Sequence, residues 1–181
     1  RDKVVPELDA FRFASYCGIS GVTKKEETLA DGAATVAALS AAVTAMDDEE
    51  VTATGRYLFI TPTLLQGIND MDTTKSKKVL EGFEQVIKVP QRRFYTAIKQ
   101  LSGKTGEEAG GYTKATGAAN INFAIVQKDA LIQYTKHAAP KIIAPENNPD
   151  ADAYVFGYRM VGIAKAYKNM LSGMYFSHDK A

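Results

Sequence analysis

Asn120-Ile121-Asn122-Phe123-Ala124-Ile125-Val126 is an apolar run of strand length, as a buried strand requires. Ile121, Phe123 and Ile125 recur at every second position, which predicts that they share one face of a strand. Downstream, Tyr154-Val155-Phe156-Gly157-Tyr158-Arg159-Met160 alternates more strictly. Tyr154, Phe156, Tyr158 and Met160 fall on one side, and Val155, Arg159, Val161 and Ile163 on the other. Aromatic ladders of this kind usually pack in a core or across strands, so the ladder is expected inside, with the tyrosine hydroxyls reaching an edge. Between the two stretches lie a short helical turn at residues 128–131 and two short strands, 132–135 and 141–143, either side of Pro140. An acidic elbow follows at residues 146–152. A last strand is expected at residues 173–177.

Upstream, Pro6 suits a first helical position, with Glu7 and Asp9 in the first turn, where the helix dipole favours carboxylates. Leu8, Phe11 and Tyr16 mark an apolar face, and Gly18 ends the helix. Residues 19–28 read as a polar connection and as the best candidate for a domain boundary. Asp31 can cap the next helix, which Gly32 opens. Val36, Leu39, Val43 and Met46 recur at helical steps and predict one buried face. The acidic group Asp47, Asp48, Glu49 and Glu50 sits at the wrong end for the dipole and should stop this helix. Tyr57-Leu58-Phe59-Ile60 reads as a central strand. Thr61-Pro62 then starts a helix through Leu64, Leu65 and Ile68. Residues 70–78 read as a polar loop, 83–89 as a strand closed by Pro90, and 91–95 as a turn. Residues 102–119 hold five glycines and few apolar anchors, so a mobile loop is expected there.

The bulk properties exclude more than they assign. The chain has 181 residues, 45% of them hydrophobic and 24% charged, with a net charge of +1. These values suit a globular domain and give no global bias toward nucleic acid or membrane. No apolar run reaches a membrane span. A single cysteine, Cys17, rules out an internal disulfide and fits a reducing cytoplasm. The chain opens at Arg1 rather than Met, and is expected to be part of a longer product.

No motif for chemistry survives inspection. Ser102-Gly103-Lys104-Thr105 contains the Gly-Lys-Thr of a phosphate loop, but the required earlier glycine is replaced by Ile98. Asn148-Pro149-Asp150-Ala151-Asp152 has the oxygen spacing of a calcium loop, but Ala153 and Arg159 stand where glycine and glutamate belong. A turn is the better reading, with Asp150 and Asp152 satisfying turn amides or reaching Lys141. Cys17, His137 and His178 come from separate parts of the chain, and Cys17 lies on an apolar helix where thiols are usually inert. Arg92-Arg93-Phe94-Tyr95 interleaves base and aromatic, as nucleic-acid surfaces do, but two arginines serve packing or ion pairing equally well. No catalytic, cofactor-binding or metal-binding residue is therefore assigned, and no cofactor is expected.

Five stretches, taken in order and spacing, resemble the major capsid protein of tailed bacteriophages, whose fold is shared with herpesvirus shells and encapsulins. They are Val4-Val5-Pro6-Glu7-Leu8-Asp9-Ala10-Phe11-Arg12-Phe13, Gly55-Arg56-Tyr57-Leu58-Phe59-Ile60-Thr61-Pro62, residues 86–95, residues 121–158 and the closing Asn169-Met170-Leu171-Ser172-Gly173-Met174-Tyr175-Phe176-Ser177-His178. The resemblance implies an α/β fold with a central mixed sheet and helices on both faces. Residues 1–27 would be the end of a spine helix and a connection. Residues 28–181 would be an axial-type domain with returning peripheral strands. It also implies a self-assembling, non-enzymatic coat subunit of a phage or prophage, made in the bacterial cytoplasm and located in the virion. The partners implied are neighbouring copies, a scaffolding protein and, non-specifically, packaged DNA. The family's N-terminal arm and extended loop are absent from this sequence, so weak association of this chain alone is expected. An encapsulin-like shell protein and a small α/β enzyme are the alternatives.

Overall fold

The computed structural model describes residues 4–107 and 110–180. Helices are α1 (Val4–Cys17), α2 (Gly32–Asp48), α3 (Pro62–Asp70) and α4 (Thr74–Glu81). Strands are β1 (Thr23–Glu26), β2 (Arg56–Ile60), β3 (Gln85–Lys88), β4 (Ile98–Gln100), β5 (Tyr112–Lys114), β6 (Ile121–Gln127), β7 (Leu131–Ile143), β8 (Val155–Ala166) and β9 (Met174–His178). Five of these form a mixed sheet in the order β1-β9-β6-β2-β3. The central β6 runs antiparallel to β2 and β9, while β1 and β3 lie parallel to β9 and β2 at the edges.

The sheet is covered on both faces. Val36, Leu39 and Met46 of α2 and Leu65 and Ile68 of α3 bury against Leu58, Ile60, Phe123, Ile125 and Tyr175. On the other face, Tyr16 and Cys17 of α1 pack with Phe94, Ile121, Ala124, Val126, Met174 and Phe176. All seven residues of β6 are therefore buried, as a strand sandwiched between two helical layers must be. The expected face of β6 needs correction. The register shifts between Ile121 and Phe123, and this irregularity turns Ile121 to the face of Ala124 and Val126. Asn122, on the buried strand, keeps its amide paired by donating to the Glu27 carbonyl (2.9 Å).

The helix starts follow the sequence closely. The Asp31 carboxylate accepts the Ala34 amide at 2.7 Å and caps α2, which ends at Asp48 within the acidic run. Pro62 opens α3 directly after β2. Gly32 and Gly67 mark where α2 crosses α3, for a Cβ on Gly32 would lie 2.1 Å from the Gly67 carbonyl oxygen. In α1, Pro6 falls within the first turn rather than at its start, and Phe11 is exposed; Ala10, Tyr16 and Cys17 carry the buried side.

Four further expectations change. The loop expected at 70–78 contains most of α4, whose start is fixed by a reciprocal capping box between Thr73 and Ser76. The connection at 19–28 contains β1, whose lysine- and glutamate-rich residues are exposed because it is an edge strand; the sheet thus draws on both sides of residue 27. The glycine-rich stretch 102–119 contains β5, paired with β4 in a small hairpin; residues 108 and 109 of that stretch lie outside the described residues, as do 1–3 and 181. The two short strands around Pro140 are one strand of 13 residues, β7, paired along its length with β8. Pro140 is tolerated because a two-stranded ribbon consists only of edges.

Candidate functional site

The groups that could carry chemistry stay apart. Cys17 is buried; burial pushes its thiol up, with the Lys24 ammonium pulling slightly back, so it is held in the unreactive form. It makes no hydrogen bond to either histidine. His178 ends β9 and its Nδ1 lies 2.7 Å from the Asp179 carbonyl oxygen. A carbonyl only accepts, so Nδ1 carries the proton. His137 sits exposed on β7. Among the described residues, no cluster of three or more His, Cys, Asp and Glu side chains is placed to hold a metal ion.

The other candidate motifs resolve into structural contacts. Glu107 accepts from the Lys99 ammonium at 2.6 Å and from the Ser102 amide and hydroxyl at 2.8 Å each. These contacts, Lys99 first, hold its carboxyl at about 2, and they close the Gly-Lys-Thr stretch into a turn. Arg93 pairs with Asp9 at 3.1 Å and ties the turn after β3 to α1. The acidic turn works differently from expectation. Asn148 does the capping: its side-chain oxygen accepts the Asp150 amide at 3.2 Å and its side-chain nitrogen donates to the Ala153 carbonyl at 2.8 Å. The carboxylates of Asp150 and Asp152 form no ion pair with Lys141.

Sequence reasoning missed Arg56. Its side chain is 2% exposed, bonds the Val51 and Thr52 carbonyls, and meets Asp47 at 2.7 Å. The acidic run at the end of α2 therefore contains one anchor. The signal was available in the charge of Arg56 inside an otherwise apolar strand, since buried arginine requires partners.

What remains as a functional surface is the β7–β8 hairpin. Its base is fixed to the body: Leu131, Ala164 and Ala166 pack on the second core, and the Tyr16 hydroxyl donates to the Gln133 side chain at 3.3 Å. Burial pushes the Tyr16 phenol up, with the Arg12 guanidinium opposing. Beyond the base the ribbon is solvated on both faces. The aromatic ladder expected in the core is exposed, with Tyr154 at 61%, Phe156 at 75% and Tyr158 at 50%. A groove of about 500 Å³ lies between Val4, Glu7, Leu8 and Phe11 of α1 and Tyr158, Arg159, Val161 and Ile163 of β8. A long ribbon of exposed apolar side chains and a groove of this kind, left open on a folded chain, make the hairpin a candidate contact surface.

Solved structures resemble this chain in fold. One from Mycobacterium phage Che8 superposes with a TM-score of 0.60 at 9% identity, covering 96% of this chain and 58% of that one. A virus-like particle from Pyrococcus furiosus gives 0.62 at 9% identity, covering 96% and 63%. The capsid of cyanophage P-SCSP1u gives 0.52 at 18% identity, covering 96% and 60%. The chain has a capsid fold. It spans about three-fifths of the length of the solved chains it matches. No protein-family model and no curated protein matches it in sequence.

Proposed function

We propose that this chain is the structural part of a coat subunit that assembles with copies of itself into an icosahedral viral shell around DNA, in a phage or prophage, and that it catalyses nothing. The observation that carries the reading is the β7–β8 hairpin, anchored at its base and uncovered beyond it, on a body with the fold of shell proteins. Such a ribbon gives many modest contacts, each weak enough to correct during assembly and closed together by symmetry. The subunit would be made in the host cytoplasm and end in the virion, with a scaffolding protein as a transient partner.

The test is to express the complete reading frame that carries this chain and examine it by negative-stain electron microscopy. Closed particles are expected. Only unassembled protein across a wide concentration range would sink the reading. The likeness to the Pyrococcus virus-like particle favours a second reading, a shell without a viral genome. Nuclease-protected DNA inside purified particles separates the two.

A further inference from the structure

Charge is segregated along the hairpin. Both strands, residues 131–143 and 155–166, contain Lys136, Lys141, Arg159 and Lys165, and no carboxylate. The tip, residues 144–154, contains Glu146, Asp150 and Asp152, and no base. All seven side chains are exposed, and among the described residues no ion pair involves any of them. Lys141 pairs across the ribbon with Gly157, and Arg159 with Ala139, so the two cations are diagonal neighbours on one face. Like charges so placed repel unless an anion is supplied.

The hairpin cannot supply that anion to most of its own shaft. Lys136 is eight residues from the start of the tip, and a strand rises about 3.3 Å per residue, so roughly 25 Å separates them. A paired ribbon does not fold back over such a distance. The face that carries Lys141, Arg159 and Lys165 also exposes Val155, Val161 and Ile163, which gives it apolar area to bury. The base of the opposite face packs on the body through Leu131, Ala164 and Ala166, and the middle of the basic face, at Arg159, Val161 and Ile163, borders the open groove beside Glu7 of α1.

We infer that this basic face is the docking surface for the β7–β8 hairpin of a second copy, laid antiparallel, with the acidic tip of each copy on the basic shaft of the other. The inference rests on the shell reading and names one of its contacts. An antiparallel pair is self-complementary, so both tips are neutralised at once. The overlap of two such ribbons is small against the ~800 Å² per partner of a standard interface, so the contact is weak alone and salt-sensitive.

Two charge-swapped variants test it: E146K/D150K/D152K at the tip and K136E/K141E/R159E on the shaft. Far-UV circular dichroism and melting first confirm that each is folded. Sedimentation equilibrium at low salt then compares wild type, each variant alone, and the equimolar mixture. The expected result is self-association of each variant at least about tenfold weaker than wild type, with association restored in the mixture. Swapped variants that associate as wild type does would overturn the docking and leave the shell reading standing, since particle formation judges that separately. A wild type that stays monomeric overturns the docking also. A shaft variant that loses binding to a duplex oligonucleotide while keeping wild-type self-association would assign the basic face to nucleic acid and overturn it too.

Discussion

β6 and β8 are both rich in apolar residues, and they meet opposite fates. β6 carries weak alternation and is buried at all seven positions. β8 carries the strictest alternation in the chain and is exposed along most of its length. Alternation reports that a segment is a strand with two distinct faces; it does not report whether this chain supplies the cover. In the body, helices α1 to α3 supply it. In the outer hairpin none of the described residues does, and the apolar side chains stay available for contact with another molecule.

If the contrast is right, the body should break where the hairpin does not. Leu39 is fully buried between α2 and the sheet. Leu39→Ala should cost about 2–5 kcal/mol in denaturant melts, the largest effect of any change considered. A silent substitution would mean that α2 does not clamp the sheet. Gly32→Ala comes next. The added Cβ cannot coexist with the Gly67 carbonyl at 2.1 Å, so α2 must move off α3, at about 1–3 kcal/mol. Alanine is ordinarily the better helix residue. A gain in stability would therefore show that the crossing is looser than the structure has it.

Much of the body was legible because its signals are local. Asp31 before α2 and Pro62 after β2 are each decided within one turn of chain, and the 36-39-43-46 spacing within three turns of one helix; each appears where expected. The placement of Ile121 was not legible, because a bulge is set by pairing between β6 and β9, more than fifty residues apart. Nor was α4 visible: its short lysine-rich segment has little apolar periodicity, and its capping box uses Ser76 where glutamate or glutamine is the usual sign. The candidate surface was found in sequence and placed on the wrong side of the solvent boundary. A tyrosine ladder looks alike whether its cover comes from the same chain or from a neighbour.

A smaller effect is expected at the β4–β5 hairpin, which belongs to the body side of the comparison yet holds its loop by surface contacts. Glu107 is held at about 2 by Lys99 and Ser102, against an ordinary value of 4.5. A carboxylate that is more acidic folded than unfolded stabilises the loop while ionised. That contribution is complete above the unfolded value and is lost as pH falls through about 2. The Ser102 amide resonance should therefore hold steady from neutral pH to well below 4.5 and shift only near the folded value. In Glu107→Gln the shift should vanish. A Ser102 titration centred at the ordinary carboxylate value would show that the Lys99 contact is not kept in solution.

The smallest effect on folding belongs to the most exposed aromatic in the chain. Phe156 pairs across the ribbon with Ile142, is 75% exposed and stacks only loosely on Tyr154, with ring centroids 6.3 Å apart. A residue that leaves most of its surface in water has little burial to lose. Phe156→Ser should shift the unfolding free energy by no more than about 0.5 kcal/mol, against several for Leu39→Ala. The two substitutions remove apolar groups of similar kind from strand and helix positions that look alike in sequence. Their ratio thus measures how much of each region's cover comes from this chain. A loss of about 2 kcal/mol or more at Phe156 in dilute, monomeric protein would mean that the outer hairpin folds back onto the body in solution. The face read as open to partners would then already be occupied, and the division between a self-covered body and an uncovered ribbon would fail at its most exposed point.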